Sequence, residues 1–158
     1  MALDPKKTLD AYRAKRGEFR ILEVPLMQYL MVDGAGDPNS AQAYQDAVSA
    51  LFPVAYTLKF ASRDQLGIDT VVMPLEGQWH APDMESFTSR RDKSAWEWTL
   101  MIMVPEHVTR EMFDRAVDTV EEKLAKKKQA SPALRSVRLE TLDAVSYTHL
   151  TLPTILLV

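Results

Sequence analysis

The sequence predicts one α+β domain, and three observations lead there. The apolar periodicity runs in the order strand, helix, strand, strand, helix, strand, which lacks the βα alternation of a doubly wound parallel sheet. A length of 158 residues is enough to bury a core yet suits a single domain. A composition of 46% apolar and 26% charged residues is that of a globular chain rather than a disordered one.

Each element has its own warrant. Residues 1–18 are polar and read as an N-terminal arm whose largest apolar group is Tyr12. In residues 19–33, Leu26, Gln28, Leu30 and Val32 alternate with Met27, Tyr29 and Met31, which predicts a strand that Pro25 bends or divides. Residues 34–40 (GAGDPNS) read as a turn. From 41 to 60 the period becomes helical, with Tyr44, Ala47, Val48, Leu51, Ala55 and Leu58 on one stripe. Pro53 lies within that stripe and predicts a kink or a break. A second strand is expected over 67–77 and a polar loop over 80–94. The third and clearest strand is expected over 95–104, ended by Pro105. Thr109 is the predicted N-cap of a helix with the stripe Met112, Phe113, Ala116, Val117, Val120 and Leu124. Three lysines, 126–128, close it where cations suit the negative end of the helix dipole. A fourth strand begins at Val137.

Charge and composition exclude several functions. Nineteen basic against 22 acidic residues give a net charge of −3, so a phosphate backbone is not the expected partner. With no cysteine there are no disulfides, thiolate metal sites or cysteine nucleophile. No apolar stretch has the length of a membrane span and residues 1–20 lack a signal-peptide core, so a cytoplasmic protein is expected. Residues 145–158 carry no charge, whereas the preceding 144 carry 41. Within them, Ser146 to Thr154 resembles a translated sequencing-adapter read-through of the kind that ends fragmentary metagenomic reading frames. On that reading the tail is non-native and the natural protein continues past Ala144.

Several segments together carry a resemblance to one family. Leu22-Glu23-Val24-Pro25 with Tyr29-Leu30-Met31-Val32-Asp33-Gly34 and Gly36-Asp37-Pro38-Asn39 is similar to the opening of stand-alone GyrI-like small-molecule-binding proteins. So are the helix end Ala55-Tyr56-Thr57-Leu58-Lys59-Phe60, the segment Val72-Met73-Pro74-Leu75-Glu76-Gly77 with Trp79, and Trp96-Glu97-Trp98 followed by Met101-Ile102-Met103. The match spans about residues 19–142. It implies an antiparallel sheet with helices packed on one face, built from βαββ (SHS2-type) repeats, with an apolar ligand in the groove between repeats. Residues 19–144 would then hold the first repeat and the start of a second that is largely missing. The resemblance further implies drug or toxin sensing or resistance through hydrophobic, aromatic or cationic small molecules. Its alternatives are hydrolysis of strained, cyclopropane-bearing electrophiles and, third, modulation of DNA gyrase by protein contact.

The candidate site residues follow. Trp96 and Trp98 lie two apart on a strand and so on one face, forming either a flat platform for an aromatic or cationic ligand or part of the core beneath the helices. Glu76, three residues before Trp79, is the candidate for neutralising a ligand cation or, with its pKa raised by burial, for general acid catalysis, and Trp79, Trp96, Trp98 and Glu76 together would form one half of the ligand groove. Tyr29 and Tyr56 are further candidates as hydrogen-bond donors to the groove. His80, His107 and His149 read as solvated single histidines. No metal-ligand spacing, nucleophile elbow or dinucleotide fingerprint occurs, so no cofactor is expected.

Overall fold

The computed structural model describes residues 3–13, 16–17 and 21–142. The expected strand start at Phe19 and Arg20, the uncharged tail 145–158 and His149 lie outside these residues. Among these residues four strands form one antiparallel sheet: β1 (Met27–Ala35), β2 (Leu75–His80), β3 (Glu97–Val104) and β4 (Arg138–Leu142). Their spatial order is β2-β3-β1-β4. An N-terminal turn of helix, α1 (Pro5–Thr8), precedes the two long helices α2 (Gln42–Leu66) and α3 (Arg110–Lys126), which pack on one face of the sheet. The strand–helix order read from the sequence is the observed one.

Register settles which side chains share a face. Leu30 is opposite Ile102, Val32 opposite Leu100 and Gly34 opposite Trp98. On the other side of β3, Leu75 is opposite Ile102 and Trp79 opposite Trp98. This row faces the helices, where it meets the α2 stripe Ala47, Ala50, Leu51, Val54, Ala55 and Leu58. The alternate row, with Tyr29, Met31, Asp33, Glu76, Gln78, Thr99, Met101 and Met103, faces away from them.

Several boundaries depart from the sequence reading. β1 begins at Met27, because Pro25 has no amide to donate to a ladder. Residues 21–26 therefore lead in unpaired. α2 continues to Leu66 as one helix through Pro53. The carbonyl deprived of a donor there belongs to Ser49, which is exposed, so water can satisfy it while the buried stripe holds both halves together. Gly67 ends α2 in the left-handed conformation (φ 68°), its amide bonded to the carbonyls of Ser62 and Arg63. The second strand is therefore shorter and later than expected. Residues 71–74 are unpaired in the sheet, and Thr70 instead bridges Leu3 of the arm. Thr109 caps α3 as expected, accepting from the Met112 amide at 3.2 Å.

Candidate active site

The tryptophans and Glu76 do not form one wall. Side chains alternate across a strand, so Glu76 and Trp79, three apart on β2, point to opposite faces. Trp98 lies beneath α2, 1% exposed, with its Nε1 donating to the Gly36 carbonyl at 3.2 Å. Tyr44 of α2 meets Trp98 edge-on (5.4 Å between centroids) and stacks on Trp79 (6.5 Å). Trp96 precedes β3 rather than lying on it, and donates its Nε1 to the Ser86 carbonyl at 3.1 Å. It meets Trp79 edge-on at 5.6 Å and Phe87 at 5.0 Å. The expected platform is therefore a graded aromatic cluster. It is sealed at Trp98, because the helix needs that area for its core, and half-buried at Trp79 and Trp96.

Tyr56 is not brought to either group. It lies on the outer side of α2, 50% exposed.

Glu76 and Tyr29 do come together, on the face away from the helices. Glu76 is opposite Met101 on β3, which is in turn opposite Met31 on β1. The third partner is Tyr12, from the arm that the sequence reading left without a role. Its hydroxyl donates to Glu76 Oε1 at 2.5 Å, across 64 positions of sequence. The arm is anchored for this contact. The Leu3 amide donates to the Asp69 carbonyl at 2.7 Å and the Val71 amide to the Leu3 carbonyl at 3.1 Å. Pro5 is buried, and Leu9 and Tyr12 pack on the core. The only signal in the sequence was an isolated aromatic in a polar segment, which does not specify a partner.

The electrostatics of the cluster follow from its burial. Glu76 is held above the ordinary carboxylate range because desolvation outweighs the hydrogen bond from Tyr12. Burial, and then the charge of Glu76, push the Tyr29 phenol up to about 12. The same two causes push Tyr12 higher still. At neutral pH both phenols are therefore protonated, beside a carboxyl group that holds its proton more tightly than an ordinary glutamate. Further along the same face, Asp33 accepts from Thr99 at 2.6 Å and from Arg138 at 3.0 Å.

A second polar contact was also missed. His107, expected to be solvated, is half-buried, with Nε2 3.1 Å from Oγ of Ser62. Burial lowers its pKa, so it is the neutral ring that meets Ser62. Ser62 is 1% exposed within α2, which makes this a satisfied core pair rather than an accessible nucleophile. Among the described residues no group of three or more His, Cys, Asp or Glu is placed to hold a metal ion. No described helix is long and apolar enough to cross a membrane.

The fold recurs over about nine-tenths of the chain in crystal structures of proteins from Listeria innocua. One, of an uncharacterized conserved protein, is 35% identical with a TM-score of 0.74, covering 89% of this chain and 67% of that one. Two others, of hydrolases, are 33% and 31% identical with TM-scores of 0.72 and 0.70, and the chain covers 67% and 68% of their lengths. The chain belongs to the family of these Listeria proteins. No family model and no curated protein matches it. Members of this Listeria family are thus longer than the segment matched here, by about a third of their own length.

Proposed function

We propose that the protein is a hydrolase of strained, apolar electrophiles of the cyclopropane type, with Glu76 as its acid–base residue. The observation that carries this reading is the desolvated Glu76 carboxyl on the helix-free face, bonded to Tyr12 and beside Tyr29. The hydrolases among its Listeria relatives support it, and so does the resemblance to GyrI-like proteins.

In the reaction, carboxylate Glu76 takes a proton from water as the water oxygen bonds to a ring carbon. The strained carbon–carbon bond breaks and its electron pair passes to a conjugated carbonyl oxygen. A phenolic donor at the site stabilises that oxygen until it is protonated. Met31, Met101 and Met103, buried on the same face, make the surroundings of the Glu76 carboxyl apolar.

The test is ring opening of an aromatic spirocyclopropyl dienone, followed chromatographically. Glu76→Gln is expected to lower the rate by about 10²-fold or more while binding of a cationic aromatic dye persists. Unchanged product formation by that variant would remove Glu76 from the chemistry.

A second reading, drug or toxin binding without turnover, is favoured by the half-buried Trp79, Trp96 and Phe87 at the rim of the aromatic cluster. Under it, the dye quenches tryptophan emission and the dienone is recovered intact.

A further inference from the structure

We infer that Tyr12 is a positioning residue for Glu76, so that the N-terminal arm is a working part of the site rather than a lead-in to the fold. The inference deepens the hydrolase reading and rests on it for its consequence in catalysis, though not for the contact itself.

The geometry carries it. A glutamate side chain on a strand has three rotatable bonds, and without a partner its carboxyl samples several rotamers. The 2.5 Å bond from the Tyr12 hydroxyl to Oε1 selects one of them. With Oε1 held, the orientation of the whole carboxyl plane, and therefore of Oε2, is set by a residue from a different part of the chain. The arm is built to deliver that hydroxyl. The backbone bonds of Leu3 with Asp69 and Val71 fix its start beside the approach to β2, and buried Pro5 and packed Leu9 fix its path. Tyrosine suits the role because its ring is rigid and apolar along its length and carries the donor only at the tip.

Among the described residues the groups that face Glu76 are few. From the arm there is Tyr12, and from β1 there is Tyr29. The directly opposed residue on β3 is Met101, the neighbour of Glu76 on its own face of β2 is Gln78, and Pro74 lies just before the strand. Neither phenol is ionised at neutral pH, so among these neighbours the Tyr12 bond is the contact that favours the charged carboxylate against burial.

The decisive variant is Tyr12→Phe, which keeps the ring and its packing and removes only the donor. Two measurements are made on the full chain and on this variant. The first is the pH titration of the Glu76 carboxyl carbon by ¹³C NMR, assigned by its loss in Glu76→Gln. The second is the pH–rate profile for opening the spirocyclopropyl dienone. The Glu76 titration midpoint is expected to move to higher pH in Tyr12→Phe, and the limb of the rate profile that Glu76 controls to move with it. Thermal unfolding confirms that the variant is folded. A titration midpoint that does not move overturns the positioning role. A midpoint that moves, in a chain that opens no dienone, upholds the positioning of Glu76 and overturns the hydrolase reading instead.

Discussion

Gly34 on β1 and Trp98 on β3 are register partners, and the indole occupies the space that a side chain at position 34 would need. A Cβ built on Gly34 falls 2.5 Å from both Cζ2 and Cζ3 of Trp98, and nearer still to Cη2. The contact is with a large ring clamped by Tyr44 above and by the Gly36 carbonyl at its Nε1, so the neighbour has little room to yield. Gly34→Ala is therefore expected to destabilise the fold by about 1–3 kcal/mol through overpacking. Urea unfolding of the two chains, compared at equal m-value, measures it. A variant as stable as the parent would mean that the indole is free to move.

The same packing makes Trp98 a core residue in function as well as in position. Truncation to alanine is expected to cost roughly 3–5 kcal/mol. With Trp79 and Trp96 replaced by phenylalanine, the emission of Trp98 alone should be blue-shifted and insensitive to acrylamide and to a cationic dye. In the converse variant, Trp98→Phe, the half-buried Trp79 and Trp96 should respond to the quencher. Ready quenching of Trp98 would return it to the binding surface.

These residues show how far the sequence could be read. The order of elements, the α2 and α3 stripes and the Thr109 cap were legible because they follow from local periodicity and capping chemistry. Trp96 and Trp98 read equally as core or as platform and stand among the expected binding residues, whereas Trp98 is core, because the side on which the helices fall is a tertiary choice that alternation leaves open. Pairing Glu76 with Trp79 overlooked a three-residue spacing that places them on opposite faces. Pro53 reads as a kink or a break because propensity is local, and the break does not occur because the buried stripe on both sides of it holds one helix. Tyr12 was illegible as a site residue, since its partner lies 64 positions away and nothing local announces it.

Thr109 offers a direct test of the local chemistry. Its side chain satisfies one of the amides left free at the start of α3. Thr109→Ala is expected to lower stability by about 1 kcal/mol, within a range of roughly 0.5–2. Thr109→Asn should recover most of that loss, because a side-chain oxygen is restored at the cap. Urea unfolding of the three chains gives both numbers. Equal loss in the two variants would assign the effect to threonine packing rather than to capping.

The pH dependence of stability bears on Glu76 through an argument of sign. Burial holds its folded pKa above the ordinary glutamate value of 4.5, with the Tyr12 bond acting in the opposite direction. The folded state therefore binds its proton more tightly than the unfolded state does. The resulting stabilisation is complete below about 4.5 and is lost as pH rises through the raised folded value. Asp33 acts with the other sign. Partial burial would raise its pKa, but the bonds from Thr99 and Arg138 prevail and lower it, so its contribution is present at neutral pH and lost as pH falls below 3.8. The two windows lie on either side of pH 4, so the contributions separate in a titration of unfolding free energy. Glu76→Gln removes the charge whose burial is unfavourable while leaving an oxygen for Tyr12 to bond. It is expected to be at least as stable as the parent at pH 7, to converge with it near pH 4, and to flatten the slope between. That outcome would mean the fold retains a carboxylate at some expense to its own stability, as an acid–base residue requires. A variant less stable than the parent at pH 7 would instead make the ionised Glu76–Tyr12 contact a structural tie.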